Sequence, residues 1–402
     1  MSFGDVALNH KGNVIELKDL RNSEPIRLNS RDGTLSCPAH LTQAAVLRTV
    51  VPSGWILPAI PGSDRITIGG AVAADAHGKN HHLYDSISHH LISLELMLAQ
   101  GDLVEVSRDN MSDLFWATVG GLGLTGIILR VNLKLQKLTS CYMLEEMIGF
   151  NSVDEMIDLF ETNKTNRDYL LGRVDGNFRP GMRWSGALSV GVNASSDGIN
   201  EPWIVPSRRK IYLPFPNPLP KGGVLASRIV NSAIGYRFKP GRKQIKDVNR
   251  FFFPQDSIRN WNLAFGWSGF VDYQCCVPIS QARLFVESVH TFLNSHSVLC
   301  FLVAIKRFRC PENTSPLVFP QDGLSVALDI PIQPATMEML DQLDDIVETY
   351  NGRVNLVKDS RLPRKRFKNM YPDYETWRLM KEKYDPKGIF VSDLSRRLGL
   401  TE

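Results

Sequence analysis

Cysteine is scarce and scattered in this chain of 402 residues. There are six, at positions 37, 141, 275, 276, 300 and 310, and no two have CxxC spacing. That argues against a disulfide framework and fits a reducing compartment with free thiols in a core. No apolar run reaches the ~20 residues that a membrane-spanning helix needs, and the opening residues lack the pattern of a signal peptide. HExxH is missing, and no internal repeat is convincing. A chain with these gaps is expected in the cytoplasm. It is 43% hydrophobic and 22% charged, an ordinary globular make-up. Its length suits two domains better than one core.

Acidic residues are nearly absent from one region. Between Arg208 and Arg250, eleven Lys or Arg stand against the single acid Asp247. The segment is thus +10 in a chain of net +4, which leaves −6 for the remainder. Charge so lopsided points to an anionic partner. The surrounding segment, 207–250, holds IYLPFPNPLP (211–220) and is followed by FFFP (251–254). Proline and aromatics among basic residues read either as a solvated loop or as a lid near a lipid-phosphate substrate, in peripheral contact with a membrane. No RNA- or DNA-binding motif accompanies the charge, so nucleic acid is not expected.

Residues 61–82, PGSDRITIGGAVAADAHGKNHH, are the most informative stretch. Pro61-Gly62 signals a turn, and Arg65–Ile68 alternates polar and apolar as a short half-buried strand would. Gly69 and Gly70 lack Cβ, and Ala71, Ala73, Ala74 and Ala76 keep the surface low. A flat or anionic ligand such as a dinucleotide then has room against the backbone. The plain alternative is a tight turn between packed strands. Five of the nine histidines fall between 77 and 90. As strand residues, the adjacent pairs His81-His82 and His89-His90 point to opposite faces, so no metal site is expected.

Leu41–Val51 reads as a helix. Ile92–Met97 and Leu103–Val106 form a hairpin around Gln100-Gly101-Asp102. Asn110 is placed to cap a helix through Phe115 and Trp116, and Ile127–Leu135 returns as a strand. GLGLTG (121–126) imitates a dinucleotide-binding GxGxxG, but no strand precedes it and no ribose-binding acid follows in a βαβ unit. From Thr139 the helical periods 153–163, 281–292 and 335–350 alternate with strands at 187–192, 271–277, 300–306 and 324–330. That pattern predicts an antiparallel sheet covered on one side by helices, an α+β domain. Val354–Lys358 reads as a strand returning to the first domain, followed by a helix over 374–384. The expected divisions are 1–138, 139–352 and 353–402.

HGKNHH (77–82) followed by LFWATVGGLGLTGII (114–128) resembles the FAD domain of the vanillyl-alcohol-oxidase (PCMH-type) flavoproteins. The likeness is strongest to the decaprenylphosphoryl-β-D-ribose 2′-oxidases. It continues through FLVAIKRF (301–308), LDIPI (328–332), KDSR (358–361) and DLSRRL (393–398), and is weak between about 175 and 260. The resemblance implies a two-domain α+β fold, with a PCMH-type FAD domain and an antiparallel-sheet cap domain for substrate. It assigns to FAD the residues Ser2, Phe3, Gly4, Asp5, Gly62, Thr67, Ile68, Gly69, Gly70, Ala74, Asp75, Ala76, His77, Gly78, Ile127, Asn355 and Lys358. SFGDVALN, from Ser2, is similar to the end of the family's diphosphate loop. Met1 stands near where covalent relatives carry their linking histidine, so non-covalent FAD is expected.

The resemblance also implies roles. Lys358 stabilises the anionic reduced flavin and is a candidate for taking the substrate proton, and His77 stands beside the ring. Lys79, Gln274, Lys306 and Asp329 line the substrate pocket, Lys306 suiting a sugar phosphate, while Ala327 leaves room. Without the resemblance, Lys358 reads as a surface lysine paired with Asp359, and His77 as a structural histidine. The implied reaction oxidises the 2′-hydroxyl of a polyprenyl-phosphate-linked furanose to a ketone, with hydride passing to flavin N5. A separate short-chain reductase then completes an epimerisation. One alternative is a soluble sugar or aldonolactone oxidase, although the HWGK-type signature of that group is missing. Another is a binding protein that has lost flavin.

Overall fold

The computed structural model describes residues 4–17, 25–197, 199, 203–206, 211–212, 240–265, 267–309 and 314–401. Ser2, Phe3, Cys310 and most of the basic segment (213–239) lie outside these residues. The strands of the first third are Arg27–Asn29 (β1), Thr34–Pro38 (β2), Trp55–Ile56 (β3), Leu91–Met97 (β4), Leu103–Ser107 (β5), Ile127–Lys134 (β6) and Gln136–Lys137 (β7). Five form an antiparallel sheet in the order β1-β2-β6-β4-β5, and β3 pairs with β7. The expected hairpin is present, closed by Gly101 N–H donating to the Leu98 carbonyl and Leu98 N–H to that of Asp102. Leu35, Leu94, Leu96, Val131 and Leu133 are fully or almost fully buried in the core of this sheet.

Helix Gln43–Val50 presses Val46, Leu47 and Val50 into that core. Its Thr42 side chain accepts from Ala45 N–H, a standard cap for an otherwise free donor. The second expected helix runs over Ser112–Thr118 without the predicted cap. Its first turn follows Met111 in left-handed conformation (φ 50°). Asn110 instead donates its side-chain amide to the Glu105 carbonyl at 2.5 Å, bracing the end of the hairpin.

The remaining strands are Tyr142–Phe150 (β8), Tyr169–Val174 (β9), Gly186–Asn193 (β10), Ile211–Tyr212 (β11), Lys243–Asp247 (β12), Ile258–Arg259 (β13), Phe270–Pro278 (β14), Leu302–Phe308 (β15), Gly323–Pro331 (β16) and Arg353–Val354 (β17). Eight make one antiparallel sheet in the order β12-β8-β10-β9-β15-β16-β14-β17. Strand period explains its two faces. Tyr273, Cys275, Val277, Val303, Ile305, Leu324, Val326, Leu328 and Ile330 point into a core shared with helices Val153–Asn163, Ala282–Ser295 and Thr336–Thr349. The alternate positions make the other face, which carries Arg173, Asp272, Lys306 and Asp329.

Three expectations need correction here. The strand predicted over 354–358 is only Arg353–Val354, and it joins the edge of the second sheet rather than the first. Asn355 then ends it, its side chain accepting from Val357 N–H to start a turn of 3-10 helix over Leu356–Lys358. The chain's return runs through helix Tyr374–Tyr384, whose Trp377 indole donates to the Ala117 carbonyl at 2.8 Å. The close of the basic segment is also regular: β12 and helix Val248–Phe252 occupy it. Lys243 and Lys246 there pair with Glu146 and Glu145. Finally, Phe251, Phe252 and Phe253 are buried, the first two packing with Tyr169 and the third against Phe252, so they are core side chains and not interface aromatics. No helix among the described residues is long and apolar enough to cross a membrane.

Candidate active site

Of the expected strand over Arg65–Ile68 only Thr67 makes a β-bridge, to Thr42; helix Ile68–Ala73 follows at once, and Gly69-Gly70 lie in its first turn. Four alternating residues are too few to fix a period, and Thr67 decides the matter locally. Its hydroxyl accepts from Gly70 N–H, and its carbonyl from Ala71 N–H. Gly69 is required for packing: a Cβ there would sit 2.8 Å from the Ala39 methyl. The far end of the helix is tied down by the GGLGLTG loop. Gly120 N–H donates to the Val72 carbonyl and Leu122 N–H to that of Ala73. The two motifs are therefore one unit in space.

Between this helix and the charged face of the second sheet lies a cavity of about 450 Å³. One wall is Gly62, Thr67, Gly70, Ala71, Ala73, Ala74 and Leu122. The opposite wall is read directly from strand register. Gln274 sits across from Ala327, Ala327 from Ala304, and Ala304 from Arg173, giving a row with a floor of methyls between two polar ends. The adjoining row is Asp272, Asp329 and Leu302. Lys306, two residues beyond Ala304 on β15, projects from the same face.

Lys358 reaches the site from the Leu356–Lys358 turn, which is hung on β14 by Asn355 N–H donating to the Gln274 carbonyl at 2.8 Å. Its ammonium lies 2.9 and 2.8 Å from the two carboxylate oxygens of Asp272. Asp359, the partner considered from sequence, turns away. It accepts from Arg361 and Leu362 N–H and pairs with Arg397, which also pairs with Asp5. A chain of amides continues from the turn: Asn355 donates to Gln274 Oε1 at 3.0 Å, and Gln274 Nε2 donates to His77 Nε2 at 3.1 Å. Burial, with Lys306, His81 and Lys358 nearby, holds the His77 imidazolium well below the usual histidine range. His77 is thus a neutral acceptor, packed edge-on to Phe308.

Burial pushes Lys306 down to about 7, helped by the charges of Lys358 and Arg173. Lys79 is lowered to about 7 as well, again mainly by burial. Its ammonium donates to the Phe251 carbonyl at 2.5 Å. Asp329 is pushed well above the ordinary carboxylate range by burial and by Asp272 across the strand pair. The cavity therefore holds several cations that an anionic ligand would recharge, and two carboxyls close together.

Of the residues assigned from sequence, the cavity brings together Gly62, Thr67, Gly70, Ala74, Ala76, His77, Lys79, Gln274, Lys306, Asp329, Asn355 and Lys358. Others stand behind it. Ile68 is in the core of the first sheet, Ile127 begins β6 opposite Met97, and Gly78 is pressed against the Ile60 backbone. Asp75 is buried and accepts from Ser88 N–H at 3.2 Å, with burial raising it to about 6. Gly4 backs onto the Asp359 carbonyl, where a Cβ would sit 2.0 Å away. Of the histidines expected on strand faces, His81 and His82 lie in a short helix, His81–Tyr84, and His89 and His90 in a 3-10 turn, Ile87–His90. His81 meets Ser86 at 3.2 Å, and His82 the Arg167 carbonyl at 2.9 Å. Sequence reasoning missed Asp272, Arg173 and Leu122. The first was findable, since alternation along FVDYQCCVP puts Asp272 beside Gln274.

Residues 1–107 match a family model described as an FAD binding domain, and residues 274–398 one described as D-arabinono-1,4-lactone oxidase. The chain is 33% identical to a decaprenylphosphoryl-beta-D-ribose oxidase of Mycolicibacterium smegmatis, over 99% of this chain and 87% of that protein. It is 20% identical to an L-gulono-1,4-lactone dehydrogenase of Mycobacterium tuberculosis, over 83% of this chain and 74% of the other. The human delta(24)-sterol reductase is 25% identical over 34% of this chain and 25% of its own.

Proposed function

Since the chain belongs to the FAD-dependent oxidoreductases with a PCMH-type FAD-binding domain, we propose that it oxidises a secondary alcohol of a lipid-phosphate-linked furanose, at the 2′-hydroxyl, to a ketone. The observation that carries this reading is the cavity itself, with a small-residue wall and His77 on one side and Lys358, Gln274, Lys306 and Arg173 on the other. The residues present fit a flavin. The wall from Gly62 to Ala74 bears little beyond methyl groups at its centre, which leaves a flat face for a planar ring.

FAD, when bound, supplies the acceptor for the hydride taken from the carbinol carbon. Lys358 holds a positive charge where that acceptor becomes negative, which lowers the barrier because the charge is positioned in advance. His77, its Nε2 taken up by the Gln274 amide, donates its Nδ1–H to a sugar oxygen. Lys79, Lys306 and Arg173 meet the phosphate. Asp329 addresses a sugar hydroxyl, and Ala304 with Ala327 leave the ring its space. Flavin is held without a covalent bond, a short-chain reductase uses the ketone, and residues of 207–250 contact a membrane carrying the substrate.

A second reading has its own support, because the family model matched over 274–398 is that of a lactone oxidase. The test is direct. An absorption spectrum of the purified protein should show flavin bands that move to the supernatant on acid precipitation. Bleaching of those bands is then followed with a phosphoprenyl furanose and with a free aldonolactone. Bleaching by the lactone alone would overturn the lipid-linked substrate, and flavin left in the pellet would overturn non-covalent binding.

A further inference from the structure

The Lys358 ammonium is held by both oxygens of a carboxylate that no motif singled out. Asp272, on β14, is directly opposite Asp329 on β16, and both carboxyls face the cavity. Directly paired strand residues have Cβ atoms ~5 Å apart, so two full negative charges there would repel strongly. The charged groups around the pair come from every element packed on it: Lys358 from the turn after β17, Arg173 from β9, and Lys306 from β15. His77, from the first half of the chain, is neutral. We propose that Asp272 and Asp329 work as a carboxyl pair holding one proton between them, and that Asp272, ionised and clamped by Lys358, accepts the proton of the hydroxyl being oxidised. This rests on the alcohol-oxidase reading above.

The balance is simple. The substrate O–H bond breaks and its proton forms an O–H bond on Asp272. The carbinol C–H bond breaks with its electron pair, which goes as hydride to the bound flavin, and the C=O bond is completed. Substrate is oxidised by two electrons and flavin reduced by two. The arrangement couples the two transfers. A proton arriving on Asp272 cancels the charge that Lys358 was neutralising, so the ammonium is freed to face new negative charge as hydride leaves. Asp329 contributes by staying protonated. Burial and the Asp272 charge keep its proton on to well above the usual carboxylate range, so the pair carries one negative charge and matches one ammonium.

Two measurements test this, and they fail separately. The first needs neither flavin nor turnover. The infrared spectrum of the protein at about pH 8, where ordinary carboxyls are ionised, should contain a protonated-carboxyl stretch that shifts in D₂O. It should vanish in Asp329→Asn. In Asp272→Asn the pH at which it disappears should fall, because Asp329 loses its like-charged neighbour and gains an unpaired Lys358. A band that persists in Asp329→Asn, or none in the wild type, overturns the pair. The second is the rate of flavin bleaching by substrate against pH. Asp272→Asn should bind flavin, fall roughly 10²–10⁴-fold and lose its acid limb, while Asp272→Glu recovers part of both. A uniform fall with the acid limb intact would make Asp272 only a positioning residue and overturn the assignment as proton acceptor. If no alcohol bleaches even the wild type, the oxidase reading fails, while the infrared result still decides the pair.

Discussion

Gln274 donates its side-chain amide to His77 across the two halves of the molecule, at 3.1 Å. The bond fixes which His77 nitrogen carries the proton, because an acceptor Nε2 requires Nδ1–H. It also ties β14 of one sheet to the turn after helix Ile68–Ala73, so the two walls of the cavity are set against each other. A histidine buried beside Lys306 and Lys358 stays neutral throughout the range in which histidines ordinarily titrate. The expected outcome is that the His77 ring shows no titration between about pH 5 and 8 in an NMR series. In Gln274→Glu, the adjacent carboxylate should raise its pKa into that window. A His77 that titrates normally in the wild type would contradict the neutral acceptor role.

Lys358 is tested by removing it. Lys358→Ala should fold and keep flavin, while turnover falls by roughly 10²–10³, the scale seen when one preorganised electrostatic group is lost. Stability should fall too, by about 1–3 kcal/mol, since Asp272 is left buried without its ammonium. The double variant Lys358→Ala/Asp272→Asn should regain stability but not turnover. Melting curves and flavin-bleaching rates together check this. Turnover near the wild-type level in the single variant would refute the role given to Lys358.

Lys306 gives a pH signature in the ligand-free protein. Its folded pKa is depressed from 10.5 to about 7 by burial and like charges. Between those values the unfolded chain binds more protons than the folded one, so stability rises with pH across that window. Below about 7 both states are protonated, and the folded state carries the full cost of a buried cation. Lys306→Met should therefore stabilise the protein at neutral pH, by about 1–3 kcal/mol, and flatten the rise from pH 7 upward. The same variant should lose affinity for an anionic substrate, because that ligand recharges the lysine. Thermal melts at a series of pH values decide the first point, and titration with substrate the second.

The second sheet was legible in the sequence through four of its eight strands, β10, β14, β15 and β16. Leu324, Val326, Leu328 and Ile330 mark one face of β16, which leaves Ser325, Ala327 and Asp329 for the other. Helix Ile68–Ala73 was not legible, for a physical reason. Two glycines at its start argue against helix by ~1 kcal/mol each. The compensations are the Thr67 cap and the backbone bonds from Gly120 and Leu122, and the last two come from far along the chain. Asp272 is a related case. Alternation places it on the cavity face, but its chemistry depends on register with Asp329 and on the Lys358 turn, neither of which any local motif encodes. The FFFP run misled because aromatic residues beside lysines suit an interface as well as a core. Burial of all three phenylalanines settles that choice.

Ala304 and Ala327, side by side on β15 and β16, form the floor between Gln274 and Arg173. Small residues there cost the sheet some packing, since β-branched side chains suit strands better, and their use is to leave depth for a ring. Ala327→Leu points its extra carbons into the cavity and not into the helix-covered core, so overpacking strain is avoided. The expected outcome is a melting temperature within about 1 °C of the wild type, which corresponds to less than ~1 kcal/mol, with flavin retained. Reduction by the sugar substrate should fall at least tenfold, through KM first, because the ring no longer reaches the floor. Ala327→Ser adds one atom and should be tolerated. If Ala327→Leu oxidises the sugar with unchanged KM, the substrate does not lie on this floor, and the cavity is read from the wrong side.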